Sequence, residues 1–411
     1  MKSILNRNKN KFMSACSGMR FAGMMAVAAV MLPVAIVALL SGCERNPELH
    51  LNYKGDVNVD LPVVELELNV FWDYTLELGT TYDWRSEWYY DWDDTDTELF
   101  GEIGYTKPSV FQLRRYFTGD TAYGTHTSVL SDMINGYTYS APFDWGFWDL
   151  LVWNEVTTID GVQSLRFDET TTLDYVTAST GQTMNTVRYQ APKYTRSFYQ
   201  PEALFSAYSR GMEVNKDLEG FVYNADRNVW VRKLDMTLYP VTYIYLTQVI
   251  IHHNNGKITG VDGNANLSGM ARTVNLNTGV TGDDAITVHY YVRFKKNCDM
   301  KGESVDIAGG RLMTFGMCNL NASRVGSSRN GVTRVDDGLH HYMDVTMQFS
   351  NGMDSTFVFD VTDQVQRRYK GGVLTVELDA DTIKAPKRKG GSGFDAVVKD
   401  FEDGGTHEFE M

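Results

Sequence analysis

Aromatic and acidic side chains alternate closely between residues 80 and 100, and these residue types suit ligand binding. The aromatic residues include Tyr82, Trp84, Trp88, Tyr89, Tyr90 and Trp92, and the acidic ones include Asp83, Asp91, Asp93, Asp94, Asp96 and Glu98. Ring faces beside carboxylates can bind a sugar, so Trp84, Trp88 and Trp92 are candidate ligand-binding residues. The carboxylates could instead bind calcium, although the glycine and the spacing of an EF-hand are missing. The alternative that we favour is an ordered surface insertion whose rings pack on a β-sandwich.

The sequence contains no recognisable catalytic motif. A serine nucleophile elbow, a phosphate-cradling loop and an HExxH helix are all missing. The pairs His252-His253 and His340-His341 are the best candidates for metal ligands. Neighbouring residues on a strand point to opposite faces, so each pair can place only one imidazole on a given side. We therefore expect one histidine of each pair to be half-buried and the other to face solvent. The sequence predicts no enzyme activity, no metal and no cofactor.

Two cysteines in the C-terminal half could react with each other. Cys298 and Cys318 would form one disulfide in an oxidising compartment. Equally, they could be two buried thiols that act as small hydrophobic side chains. The spacing does not decide between the two.

The N-terminus has the order of an export signal. Five basic residues without any acidic residue are followed by an apolar run over residues 21–40 and by the motif Leu40-Ser41-Gly42-Cys43. This motif resembles the bacterial lipobox. The resemblance implies that residues 1–42 are removed, that Cys43 carries diacylglycerol, and that the protein is held to a membrane by its N-terminal lipid. A retained membrane-spanning helix and an ordinary secretory signal with an accidental cysteine are the alternatives.

The residue after the lipobox cysteine bears on location. Glu44 is not the aspartate associated with retention in the inner membrane. We therefore expect the outer membrane, on either its periplasmic or its cell-surface face.

The charge of the chain argues against nucleic acid as a partner. With the five basic residues of the signal removed, the rest of the chain carries 33 basic and 52 acidic residues, a net charge of −19. An acidic surface of this kind repels phosphate backbones.

Strand patterns begin where the polar tether over residues 43–60 ends. Residues 64–70 alternate apolar and polar side chains, which predicts a strand with one buried face. The apolar run over residues 146–154 predicts a central strand. Residues 128–134 are predicted to form a short helix with Ser128 as its N-cap, and residues 201–205 one helical turn. From Val229 onward, short strands separated by glycine- and asparagine-rich turns indicate an antiparallel sandwich.

These patterns predict an all-β protein in two domains, over residues 61–227 and 228–383. The remaining segment, residues 384–411, begins with a basic and glycine-rich linker. A short strand follows at residues 394–398, and it could pair with the chain's own sheet or with the open edge of another subunit.

Several of these features together resemble the fimbrillin-like lipoproteins of the Bacteroidetes, which build or anchor type V pili. The similar stretches are residues 146–154 and 241–246. Residues 266–271, residues 310–316 and the Gly-Phe-Asp at Gly393 are closer still to a family catalogued only as a domain of unknown function. The resemblance implies two tandem transthyretin-like antiparallel β-sandwich domains.

The resemblance also implies assembly by strand exchange with other fimbrial subunits. In polymerising subunits, an arginine-directed protease removes the first strand and a partner's strand replaces it. Arg45 precedes every predicted strand and Arg85 lies in the aromatic stretch, so neither is a convincing cleavage site. We therefore expect an anchor or accessory subunit that keeps its lipid and its first strand. The alternative is a surface glycan-binding lipoprotein that uses the tryptophan-rich stretch at residues 82–92.

Overall fold

The predicted all-β class is confirmed, because two large curled sheets make up most of the structure. The structure is a computed structural model, and it describes residues 61–70, 84–156, 164–172, 175–183, 197–320, 337–387 and 396–397. The lipobox residues Leu40, Ser41, Gly42 and Cys43 therefore lie outside the described residues. Among the described helices, none is long and apolar enough to cross a bilayer.

Eleven described strands precede residue 241. They are β1 (Val63–Val70), β2 (Val110–Gly119), β3 (Ser128–Asn135), β4 (Thr138–Pro142), β5 (Gly146–Asn154), β6 (Leu165–Thr172), β7 (Tyr175–Thr180), β8 (Ser197–Tyr199), β9 (Phe205–Val214), β10 (Val222–Asn224) and β11 (Val229–Pro240).

Nine described strands follow that position. They are β12 (Tyr243–His252), β13 (Ile258–Ala271), β14 (Thr273–Asn275), β15 (Ala285–Met300), β16 (Glu303–Thr314), β17 (Tyr342–Phe349), β18 (Asp354–Asp360), β19 (Gly372–Asp379) and β20 (Ala396–Val397). Two short α-helices, α1 (Asp94–Phe100) and α2 (Thr362–Arg367), and a 3-10 helix (Trp84–Ser86) complete the described elements.

The first sheet has the order β3-β2-β5-β9-β11-β1-β4, and β10 also pairs with β11. Its path bends between β9 and β11, which share only two described residue pairs, Tyr239 with Ser206 and Pro240 with Phe205. The two arms enclose one hydrophobic cluster, to which Leu66, Phe111 and Trp148 contribute.

The second sheet has the order β19-β12-β16-β15-β13-β17-β18-β20, with β8 beside β15. The long strand β15 pairs with β13 through residues 285–291 and with β16 through residues 292–300. Because one strand serves two neighbours in succession, the sheet curls around its own cluster, which contains Tyr245, Val288 and Phe359. A third, small sheet joins β14, β7 and β6.

Two local predictions were wrong. Residues 128–134 are not a helix but part of β3, because every residue from Ser128 to Asn135 pairs with β2. Residues 201–204 carry no helical turn, and the chain passes directly into β9. The pairing potential of a neighbouring strand outweighs the weak local signal of an N-cap.

The strand that begins at Val229 belongs to the first sheet and not, as expected, to the second group of strands. It pairs in parallel with β1 and touches β9 at its end. Contacts group the chain from Leu61 onward into one unit. The division into two domains at residue 228 stays a prediction.

Leu66 tests how much β1 contributes to the first core. Its side chain is 1% exposed and contacts that core, whereas its neighbour Glu67 points to solvent on the same strand. We expect Leu66→Ala to lower the free energy of unfolding by about 2–5 kcal/mol, because the substitution leaves a cavity. Glu67→Ala, the matched control, should change it by less than about 0.5 kcal/mol. Urea unfolding curves measure both, and equal effects would show that β1 is not seated as described.

Candidate functional site

The first strand occupies a groove between two other strands. β1 pairs in parallel with β11, from Val63 beside Val231 to Val70 beside Leu238. On its other side it pairs antiparallel with β4, from Val63 beside Pro142 to Glu67 beside Thr138. The inward side chains of Val64, Leu66 and Leu68 are 0%, 1% and 2% exposed. Both backbone edges and the apolar face of β1 are therefore satisfied within the same chain.

The second sheet is covered on both faces at β12. Residues Tyr243 to Ile251 are all buried, which a strand with one solvated face would not show. Tyr245, Val249 and Ile251 face the core inside the curl, while Ile244, Leu246 and Ile250 face the other way. Residues 84–105 cover this outer face of β12, and we call them the aromatic segment.

Three rings of the aromatic segment pack on that outer face. Trp84 is 6% exposed and contacts Ile244, Leu246, Met313 and Val373. Tyr90 is 2% exposed and packs with Ile250, Cys298, Val305 and Ile307. Trp88 is half-buried and contacts both groups.

One buried amide in β12 holds the backbone of the aromatic segment. Gln248 accepts a hydrogen bond from the Tyr89 backbone N–H at 3.0 Å and donates one to the Glu87 carbonyl at 2.6 Å. The same Nε2 donates to the Thr375 hydroxyl at 2.9 Å. Burying Gln248 is tolerated because its amide is hydrogen-bonded in this way.

A buried carboxylate fixes the second half of the segment. Asp96 in α1 is fully buried and accepts hydrogen bonds from the Tyr90 hydroxyl at 2.8 Å and from Arg293 at 3.0 Å. Lys295 Nζ lies 2.6 Å from its other oxygen. Asp93 caps α1 and also pairs with Arg293 and Lys295, so these cations hold the pKa of Asp93 well below its usual range. Two carboxylates that could have bound calcium are thus engaged by cations of β15.

Burial of the Tyr90 ring and the nearby Asp96 carboxylate raise the pKa of the Tyr90 phenol well above its usual range, so the hydroxyl stays protonated and donates. The ring lies against the backbone of Gly309 in β16, where a Cβ would come within 2.4 Å of the ring. Glycine is therefore required at 309 for this close approach.

The sequence-predicted tryptophans meet at one open cleft of about 620 Å³, which we call the aromatic cleft. Its lining includes Trp84, Trp88, Tyr89, Tyr90 and Trp92 on one side and Asn297 and Asp299 on the other. The indole nitrogens of Trp84 and Trp88 are buried and have no hydrogen-bond partner among the described residues. The Trp92 nitrogen donates to the Thr97 hydroxyl at 2.9 Å.

Cys298 and Cys318 are free thiols, and both are buried. Cys298 packs beside Tyr90 below the aromatic cleft, and Cys318 lies in another hydrophobic cluster with Phe315. Burial raises the pKa of both thiols, to about 12 for Cys318. The protonated form of a buried thiol behaves as a small hydrophobic side chain.

The histidine pairs each divide into a more buried and an exposed ring. His341 is fully buried with Asp337 3.4 Å from its Nε2, while His340 is exposed. His252 lies between Glu303 and Glu377, while the exposed His253 lies 3.3 Å from Asp379.

One set of potential metal ligands includes an exposed histidine. Ligand atoms of His253, Asp379 and Asp381 lie within 4.8 Å of one another. The set lies on the surface, where such groups of acidic side chains are common without an ion.

The first sheet also contains a buried ionic group that the sequence patterns did not predict. Asp149 in β5 is fully buried, and its carboxylate lies 2.8 Å from His126 Nε2 and 3.0 Å from the Tyr208 hydroxyl. A signal existed, since an aspartate inside the apolar run of residues 146–154 needs a buried partner. That partner, 23 positions earlier in the chain, has no local sequence signature.

The described part of the C-terminal strand pairs within the chain. Ala396 and Val397 lie in parallel beside Phe357 and Val358 of β18, at the edge of the second sheet. Most of the predicted linker and strand lies outside the described residues.

No protein-family model matches the chain, and no curated protein matches it. Among solved structures, the chain is similar to a protein of Bacteroides ovatus proposed to be an adhesin, with 12% identity, a TM-score of 0.43, and coverage of 78% of this chain and 93% of that chain. It is also similar to the fimbrial anchor protein Mfa2 of Porphyromonas gingivalis, with 11% identity, a TM-score of 0.32, and coverage of 77% and 90%. It is similar as well to the tip fimbrial protein Mfa3 of the same organism, with 9% identity, a TM-score of 0.28, and coverage of 73% of this chain and 81% of that chain.

These matches are to the kinds of Bacteroidetes protein that the sequence resemblance names. Because every TM-score is below 0.5 and every identity is 12% or less, they carry no argument for function. The function proposed below rests on the residues of this chain.

Proposed function

We propose that this chain is a non-enzymatic, lipid-anchored outer-membrane protein that serves as an anchor or accessory subunit of a fimbria-like surface structure. The observation that carries the proposal is the filled groove of the first sheet. A subunit that polymerises by strand exchange must lose its first strand before its partner's strand can enter the groove, and no convincing arginine cleavage site follows β1 in this chain. Here β1 fills that groove itself, between β11 and β4.

The position of β1 suits a strand next to a tether. It is the first described element after the segment that begins at Cys43. Eight of its residues pair with β11 and five with β4. A force that pulls along β1 meets these hydrogen bonds together, and it must also expose Val64, Leu66 and Leu68 to water.

Removal of β1 by arginine-directed cleavage would also disturb the second sheet. Arg85 is the first arginine after β1, and its guanidinium lies 4.6 Å from the ring centre of Trp84. The Trp84 ring is buried on β12 and its neighbours. A cut after Arg85 would break the chain between this buried ring and the rest of the aromatic segment. The proposal is therefore that β1 is kept.

We further propose that the two curled sheets represent two tandem transthyretin-like sandwich domains. Their separate hydrophobic clusters support this reading. An experimental structure with two such domains would bear it out, and a single continuous sandwich would contradict it.

The mature chain in cells tests the anchor proposal. We expect mass spectrometry of the membrane fraction to find a chain that begins at diacylated Cys43 and still contains residues 63–70. Cys43→Ser should remove the lipid and block the cleavage before residue 43, so that mass spectrometry finds the unprocessed chain with residues 1–42 still attached. A mature chain that begins at Ser86 would contradict the anchor role, because it would lack β1.

Partner binding by strand addition is the second part of the proposal. A chain that ends at Gly393 lacks the C-terminal strand, whose described residues pair only with the edge of β18. We expect this truncation to abolish copurification of other surface subunits with the tagged protein, since backbone pairing supplies the affinity in strand addition. The full-length chain is the control. Unchanged copurification would show that the C-terminal strand is not the donor.

Glycan binding is the second candidate function, and the aromatic cleft is the observation that favours it. Five aromatic rings lie beside the Asn297 amide and the carboxylates of Asp91 and Asp299 in a space of about 620 Å³. Ring faces with a few polar groups are a common surface for sugars.

A glycan array on the ectodomain tests this second function. Trp84 is an unsuitable position, because truncating a ring so buried costs about 3–5 kcal/mol of stability. We expect Trp88→Ala and Trp92→Ala to abolish any signal of the parent protein on neutral glycans, which carry no carboxylate for the rest of the chain to bind. Trp230→Ala is the matched control, since Trp230 is 40% exposed in β11 and does not line the cleft. A signal that survives both cleft substitutions, or no signal at all, would rule out this cleft as a glycan site.

A further inference from the structure

A second cleft, of about 390 Å³, lies on the first sheet near the small third sheet, and we call it the polar cleft. Its lining combines the loop between β2 and β3, the strand β9 and the residues after β14. The side chains that line it include Tyr123, His126, Tyr208, Arg210, Asn277 and Thr278. No aliphatic side chain of the described residues lines it, so an apolar ligand would find little to contact.

The Asp149 carboxylate lies behind this lining and is fully buried. Its Oδ1 accepts a hydrogen bond from the Gly211 backbone N–H at 2.7 Å. Its Oδ2 lies 2.8 Å from His126 Nε2, 3.0 Å from the Tyr208 hydroxyl and 3.6 Å from Arg210 Nε. Both oxygens are thus engaged, and the carboxylate positions its neighbours instead of meeting a ligand.

The Tyr208 hydroxyl is held in its donating form. Burial, followed by the charge of Asp149, raises the pKa of the Tyr208 phenol well above its usual range, so Tyr208 remains protonated and donates to the carboxylate. The His126 ring is stacked on Tyr116, with the ring centres 4.7 Å apart. The floor of the cleft is therefore rigid and internally satisfied.

Two side chains of the cleft, Arg210 and Asn277, present hydrogen-bond donors. Arg210 has half of its side chain exposed, and its guanidinium carbon lies 5.2 Å from the ring centre of Tyr123. Asn277 is 4% exposed and uses its Oδ1 to accept from the Val176 N–H. Its Nδ2 neighbours Tyr208 but makes no hydrogen bond of ordinary geometry with the described residues.

One hydroxyl beside these donors is already used as both donor and acceptor. The Thr278 hydroxyl donates to the Asn275 side chain and accepts from the Val280 N–H. A ligand in this cleft therefore meets a guanidinium and an amide donor, and it must bring the acceptors itself. The planar fork of arginine matches a carboxylate, which it can bind through two parallel hydrogen bonds.

We propose that the polar cleft binds the carboxylate of an acidic sugar, of the hexuronic acid type, between Arg210 and Asn277. The ring of Tyr123, which is 67% exposed at the rim, supplies a flat surface for the sugar face. The polar cleft is separate from the aromatic cleft. The binding proposed for it does not depend on whether the chain is a fimbrial anchor.

Calorimetric titration of the ectodomain tests the site with four probes: glucuronate, glucose, acetate and inorganic phosphate. We expect glucuronate to bind about ten to a hundred times more tightly than glucose, because only glucuronate forms the charge-assisted contact with Arg210. Acetate should bind more weakly than glucuronate, because it lacks the sugar face. Glucose equal to glucuronate, or acetate or phosphate as tight as glucuronate, would overturn the assignment.

Three variants locate the binding. Arg210→Gln should weaken glucuronate binding at least about tenfold. Tyr123→Ala, which removes an exposed ring, should weaken glucuronate binding more than acetate binding, because only glucuronate has a sugar face to lose. Arg85→Gln is the matched control: it replaces an arginine by glutamine in the aromatic cleft, and it should leave glucuronate binding unchanged. If binding survives Arg210→Gln and Tyr123→Ala in proteins with parental circular dichroism, or if it is lost with Arg85→Gln, the polar cleft is not the site.

Discussion

The pairing of β1 on both of its edges is the constraint on which the first sheet depends. Every strand of a sheet carries a row of N–H and C=O groups on each side, and an unpaired row invites another chain. Without β1, the facing edges of β11 and β4 would both be open, and the core would lose Val64, Leu66 and Leu68. The same contacts that stabilise this sheet therefore keep another strand out of the groove for as long as β1 remains in the chain.

The second sheet meets a related constraint on its faces. β12 has apolar side chains on both sides, so one hydrophobic cluster inside the curl cannot cover it. The aromatic segment supplies the second cover, and it is held by polar contacts, through Gln248 at one point and Asp96 at another. Removing either partner of such a buried polar contact costs more than the contact contributes, because the remaining group stays buried and unpaired.

Both clefts arise from these packing solutions. The aromatic cleft is open because the rings of the segment cover the sheet incompletely, and two buried indole nitrogens there find no partner among the described residues. The polar cleft borders the place where the buried Asp149 is satisfied by His126, Tyr208 and the Gly211 N–H. In the first cleft the contact surface is mainly aromatic. In the second it consists mainly of polar side chains beside the ring of Tyr123.

The sequence by itself determined the all-β class, the burial of one face of β1 and the burial of β5, because side-chain alternation and apolar runs are local properties. It also indicated that the tryptophan-rich stretch packs on a sheet, since rings among so many carboxylates suit neither a core strand nor a flexible loop. Only the tertiary structure decided that β1 runs parallel to β11, that residues 128–134 pair with β2 as a strand, and that Asp149 finds His126. Those outcomes join residues far apart in the chain, and periodicity within a short window carries no information about which distant strand or side chain becomes the partner.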